Sequence, residues 1–419
     1  MLGQRIAGLV VAAALTMAPS LAVAESLEGT LSGLFGGQFK AGTGLGVQVV
    51  GTGFTPNTDF SDAISGSLNS SRALVPVPSG SFGYTYEFDE SLDIFVRTSD
   101  SLGPLFTERA LTLGRGKFAF SFSYTFVDYD DFDGQSLGDI RIVTPIGRTL
   151  QACRKPPCVT PLPGTVDDVI QTNLDMDLTF NSFFFFFGYG ITDQWDVSLA
   201  MPLIYNSLSG SAVARIVDVK GDSGSFGSLN RVLFAPDQQG LTDPFNRDAA
   251  RESFDEDSFG PGDIYLRTKY WFLKAPAESY YPDLAGVVTL TLPTGGADDF
   301  RGFEYPTGTP LLVLSRSYAF VSPHLNLGYA FRSDTDGSQF LWGAGADIAV
   351  APWLTVVPDF LGFMGTAGAG DGVDIYQYSL GLKFNPWRQL VLGANFQFPL
   401  NDEGLRADII YTGQVEYTF

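Results

Sequence analysis

Few residues in this chain have the types and spacing that chemistry requires. There is one histidine, His324, and there are two cysteines, Cys153 and Cys158. The cysteines stand in "ACRKPPCVTP", a spacing that in an exported protein predicts one local disulfide. Two thiols do not complete a tetrahedral metal site, and the histidine is distant in sequence. "DYDDFDG" at 128–134 has the look of a calcium loop but lacks the chelating glutamate at the required spacing. "GRG" at 114–116 has no strand–loop–helix context and reads as a turn, not a phosphate cradle. No metal and no cofactor is predicted.

The elements that would position these residues begin with an export signal. Gln4 and Arg5 precede the apolar run Ile6 to Leu15, and Ala22-Val23-Ala24 reads as a cleavage site before Glu25. Residues 1–24 are therefore predicted to be a secretory signal peptide, too short for a spanning helix. Without Arg5 the remaining chain has 24 basic and 46 acidic residues, a net charge of −22. That balance opposes binding to nucleic acid or an anionic membrane surface. After residue 24 no apolar run reaches the roughly 18 residues of a membrane helix. Low charge (17%), many aromatics (14%) and 48 glycines suit instead a large β protein with one face in lipid.

From residue 117 the sequence repeats one pattern: segments of period-2 alternation separated by turns or loops. Strands are predicted at 117–129, 172–189, 194–207, 263–273, 283–293, 311–320, 324–333, 339–350, 353–366, 374–384, 388–399 and 408–419. In 117–126 the residues Phe118, Phe120, Phe122, Tyr124 and Phe126 oppose Lys117, Ser121, Ser123 and Thr125. In 374–384 the residues Tyr376, Tyr378, Leu380, Leu382 and Phe384 oppose Gln377, Ser379, Gly381 and Lys383. A sandwich core would not be built from the polar set, whereas a barrel lumen would. In 311–320, Arg316 falls on the apolar face.

Short turns alternate with long connections along the chain. Short turns belong to the periplasm and long loops to the exterior, which puts the C-terminus in the periplasm. The final strand ends in Tyr417 and Phe419, the form of sorting signal read by the outer-membrane barrel-assembly machinery. The predicted fold is all-β: an antiparallel transmembrane β-barrel of about twelve strands (12–14), residues 117–419, in a Gram-negative outer membrane. Residues 25–116 precede it, with a hairpin expected over 83–98. They are expected to form a plug-like segment in the lumen or a periplasmic extension.

Four stretches resemble a known family: "TERALTLGRGKFAFSFSYTFVDYDDFDG" (107–134), "GPGDIYLRTKYWFL" (260–273), "LPTGGADDF" (292–300) and "VSPHLNLGYAF" (321–331). Over residues 80–419 the chain resembles the outer-membrane transporters assigned to the phenol-degradation meta-pathway. That family is distantly similar to long-chain fatty-acid and aromatic-hydrocarbon channels, in which fourteen strands are expected where twelve are read here. The resemblance implies a monomeric barrel with an N-terminal hatch that passes small hydrophobic molecules.

Parity assigns the lumen. Asp175, Asp177, Arg267, Lys269, Asp347, Asp359, Lys383 and Glu416 are expected to face inward, where opposite charges can cross-link the walls, hold a plug or set a field for permeants. His324, expected to open its strand, also faces inward at the periplasmic end, poorly placed for a lipid-hydrolase triad. In 172–189 the even positions Leu174 to Phe186 are assigned to lipid and the odd positions to the lumen. Phe183, Phe185, Phe187 and Tyr189 would then make the inner wall aromatic, either as packing against the plug or as an apolar path for a permeant. The expected function is passive uptake of small hydrophobic or aromatic compounds, with a general or structural porin and an outer-membrane lipid-modifying enzyme as alternatives. The expected partners are outer-membrane lipid, the assembly machinery through Phe419, and small hydrophobic molecules.

Overall fold

Long strands form wherever the sequence alternates. The computed structural model describes residues 26–27, 30, 46–49, 79–89, 94–97, 101–146, 168–218, 231–234, 249–276, 279–333, 337–367, 373–387 and 389–419. Among them are the barrel strands β1 (Phe118–Tyr129), β2 (Asp168–Thr192), β3 (Trp195–Asp218), β4 (Ile264–Leu273), β5 (Asp283–Leu292) and β6 (Thr307–Ser315). The remainder are β7 (Val321–Ala330), β8 (Ser338–Ala351), β9 (Leu354–Ala367), β10 (Asp374–Trp387), β11 (Leu390–Pro399) and β12 (Ile410–Thr418). Each pairs antiparallel with its neighbours in sequence, and β12 closes on β1 from Tyr411↔Phe126 to Thr418↔Ala119. Closure leaves no unpaired edge, the condition for strands to cross a bilayer. The expected leader and the expected disulfide of Cys153 with Cys158 lie outside the described residues.

Two expected strands shift toward the N-terminus. β6 ends at Ser315, not 320, and β7 starts at Val321. The reason is Arg316, whose guanidinium turns to the carbonyls of Ala275 (3.3 Å) and Pro276 (2.6 Å) and lies 3.7 Å from Asp283. It ties two periplasmic turns together and never enters the lipid face. The expected hairpin before the barrel is present, Tyr86–Asp89 against Ile94–Arg97.

The largest departure concerns β2 and β3, of 25 and 24 residues. At about 3.3 Å per residue each spans about 80 Å, several times an apolar band about 25 Å tall. Their outer halves stand beyond the membrane, extended by Ile140–Ile146 and Ala249–Pro261. There the faces are those of a water-soluble protein. Leu174, Met176, Leu178 and Phe180 point inward into a core with Val127, Leu208, Phe300 and Ile410, while Asp175 and Asp177 are exposed outside. The expected parity of this strand is therefore inverted: even positions face in and odd positions face out. Register decides it, because Phe183, Phe185, Phe187 and Tyr189 stand directly opposite Tyr124, Phe122, Phe120 and Phe118. Directly opposed residues share a face. The rings meet at 4.9 Å (Tyr124–Phe183) and 5.2 Å (Phe122–Phe185 and Phe120–Phe187). Those four residues belong to the lipid-facing wall, not to a lumenal path, and Asp175 and Asp177 are not lumenal charges.

Candidate functional site

The lumen is occupied where its wall is polar. Residues 79–85 and 101–114 run inside the barrel, with most of them buried. This segment has little regular structure of its own. Its backbone donors are satisfied by inward side chains of the barrel, as burial requires. Gly83 N–H donates to Glu416 (3.0 Å), Leu102 N–H to Thr355 (2.9 Å), Ala110 N–H to Ser315 (2.8 Å) and Leu113 N–H to Asp196 (2.7 Å).

Three charged clusters anchor it. In the first, Glu108 lies between Arg267 (2.6 Å) and Lys269 (2.8 Å) and accepts from Gly80 N–H (2.7 Å) and Ser81 Oγ (2.6 Å). Burial alone would push this carboxyl up, but Lys269 and Arg267 outweigh it and hold Glu108 well below the usual carboxylate range. In the second, Lys383 pairs with Glu416 at 2.6 Å. The third surrounds His324, whose side chain has no exposed surface. Its Nε2 is 2.8 Å from both Asp359 Oδ1 and Thr107 Oγ1, Thr107 donates to Asp359 Oδ2 (3.0 Å), and Asp347 lies 3.9 Å from Nδ1. With the Thr107 hydroxyl donating to Asp359, the contact between Thr107 Oγ1 and His324 Nε2 is a hydrogen bond only when Nε2 is the donor. Of the residues expected to charge the lumen, Arg267, Lys269, Asp347, Asp359, Lys383 and Glu416 take part in these three clusters.

Sequence reasoning missed half of these contacts. Glu108, Thr107, Ser81 and Arg109 lie in a segment without periodicity, so alternation did not mark them; Thr107, Glu108 and Arg109 do open the stretch 107–134 that carries the family resemblance. Arg109 is almost fully buried and donates to Phe82 O at 2.7 Å. Asp196 did carry a signal: it sits in an alternating strand beside Trp195, which is exposed.

The aromatic inner wall exists, but it is made by Phe184 and Phe186. Phe186 meets Phe82 of the lumenal segment edge-on at 5.5 Å and lies under Arg267 at 5.8 Å. Beside this contact, toward the exterior, the connection from β5 to β6 folds inward. Asp263 accepts from Gly295 N–H (3.0 Å) and Phe303 N–H (2.7 Å), and Asn206 donates to the carbonyls of Asp299 (2.8 Å) and Phe300 (3.1 Å). These bonds bring Phe303 into the lumen, where Arg332 stacks on its ring at 4.6 Å.

Between Phe303 and residues Phe106 and Thr107 of the lumenal segment lies a cavity of about 190 Å³. One side is apolar, with Phe106, Leu341, Trp342, Leu361 and Phe363. The other carries Thr289, Thr291, Thr307 and Thr309, paired across β5 and β6, with Asn326 beside them. Among the described residues no group of carboxylates, histidines or cysteines could hold a metal ion.

A closed barrel with rings toward lipid, charges toward the lumen and a segment of its own chain inside defines the class: an outer-membrane β-barrel with an occupied lumen. Among solved structures, the chain is similar to an outer membrane channel from Pseudomonas putida F1, with 12% identity and a TM-score of 0.43 over 74% of this chain and 98% of that one. The toluene transporter TbuX of Ralstonia pickettii gives 10% identity and a TM-score of 0.34 over 73% and 89% of the two chains. The CymD monoaromatic hydrocarbon channel gives 8% and 0.32 over 73% and 88%. Superpositions this loose decide nothing about the chain, whose class rests on its own pairings and faces. No family model and no curated protein matches the sequence.

Proposed function

We propose that the protein is an outer-membrane channel for passive uptake of small hydrophobic or aromatic compounds. Residues 1–24 act as its signal peptide, 25–116 supply a hatch and 117–419 form the barrel. The observation that carries this reading is the cavity between Phe106 and Phe303, whose one side is apolar. Apolar surface costs free energy in a water-filled pore unless something covers it. A porin for sugars would need no such chamber and no segment filling its bore. The lipid-modifying alternative gains nothing from the geometry, since the buried His324 has no surface on which an acyl chain could land.

Uptake of labelled toluene by cells lacking this protein, with and without a plasmid copy, tests the proposal. The copy is expected to raise the initial rate several-fold. Equal rates would refute it, and liposome swelling with sugars would then favour the porin.

A further inference from the structure

The cavity has two chemically different sides, and the proposed function uses only the apolar one. Its polar side is built with unusual expense. Four threonines line two paired strands, and Thr307 is almost fully buried with its hydroxyl oxygen lacking a hydrogen-bond partner. A buried hydroxyl left without a partner costs free energy, so a site that keeps one is shaped for something that supplies it. Two guanidinium groups belong to the same lining: Arg267, held by Glu108 at 2.6 Å, and Arg332, which stacks on Phe303 and donates to Gln339 at 3.1 Å.

We propose that this cavity is a subsite for an organic monoanion, a carboxylate on a single aromatic ring or a short chain. The inference rests on the channel reading and names the class of permeant. The ring lies against Phe106, Trp342 and Phe363, and the carboxylate faces Thr307 and Arg332. Guanidinium suits this role because its fork of donors matches the two oxygens of a carboxylate. A cavity of about 150 Å³ admits benzene, and this one, about 190 Å³, has room for a ring with one small substituent.

Calorimetric titration of the purified, detergent-solubilised protein with benzoate, its neutral isostere benzamide, and toluene tests the inference. Benzoate is expected to bind about tenfold or more tighter than benzamide, the scale of one charge-assisted bidentate contact. The preference is expected to collapse toward unity in Arg332→Gln, to be partly kept in Arg332→Lys, and to shrink in Thr307→Val. Each variant is checked for the heat-modifiable gel shift of an intact barrel. Benzamide binding as tightly as benzoate, or an unchanged preference in a folded Arg332→Gln, overturns the proposal. Toluene uptake in the cell assay surviving that result would leave the hydrophobic channel standing, so the two readings fail separately.

Discussion

Replacing Glu108 by Gln should release the lumenal segment. Glu108 is the single carboxylate between Arg267 and Lys269, all three nearly buried. The amide keeps the shape and removes the charge, so both buried cations lose the carboxylate that bridges them. Breaking a buried pair from one side costs about 3–5 kcal/mol. At about 1.4 kcal/mol per decade, the docked-to-undocked ratio falls by roughly two to three and a half decades. Trypsin reads this directly, because Arg109 is buried when the segment is docked. When opening is fast relative to cleavage, the cleavage rate tracks the open population. Cleavage after Arg109 should therefore accelerate by about two decades or more in Glu108→Gln, with new conductance steps in planar bilayers. Adding Lys269→Met, which removes one orphaned cation, should recover part of the loss. A cleavage rate within threefold of the parent, with no conductance change, would refute the assignment of Glu108 as the anchor.

Other predictions follow from the same geometry. Because the folded-state value of Glu108 is depressed, its contribution is present above the unfolded value of about 4.3 and is lost only as pH falls through the depressed one. The share of tryptic protection that Glu108 contributes should thus be the same at pH 7 and pH 5, read as an equal ratio of the Glu108→Gln to parent cleavage rates at the two pH values. Phe185→Arg puts a cation on the lipid face and should cost about 2–4 kcal/mol in urea unfolding from liposomes. Asp175→Arg, beyond the membrane, should stay within about 0.5 kcal/mol. Equal costs at the two sites would contradict the orientation given to β2. A methyl group on Gly190 would run into the carbonyl oxygen of Gly114, so Gly190→Ala should shift the segment near 114 and raise its hydrogen exchange. His324→Ala leaves Asp347 and Asp359 buried together without the imidazole and should lower the thermal midpoint measurably, with a destabilisation of about 3 kcal/mol or more.

The sequence by itself determined the barrel. A period-2 alternation with polar residues on one face has one solution in a membrane, so strand number and the membership of most faces were legible. Twelve strands appear where twelve alternating segments were read. The inward charges Arg267, Lys269, Asp347, Asp359, Lys383 and Glu416 followed from parity alone, because a charge at mid-depth toward lipid is costly.

Tertiary structure decided the rest. In β2 both faces turn apolar over part of the length, so alternation fixes two sets of residues without saying which is inside. Only the pairing of Phe183–Tyr189 with Phe118–Tyr124 settles that. The run of phenylalanines then separates into Phe183, Phe185 and Phe187 toward lipid and Phe184 and Phe186 toward the lumenal segment. The partners of the charges were likewise not marked by alternation. Glu108 and Thr107 sit in an aperiodic stretch, and their contacts with β4, β7 and β9 span more than 150 residues of sequence. The cavity came from the same source, since it exists only where that stretch and the folded-in Phe303 meet. Local alternation encodes which residues share a wall; what fills the space between walls is set by contacts that no local pattern records.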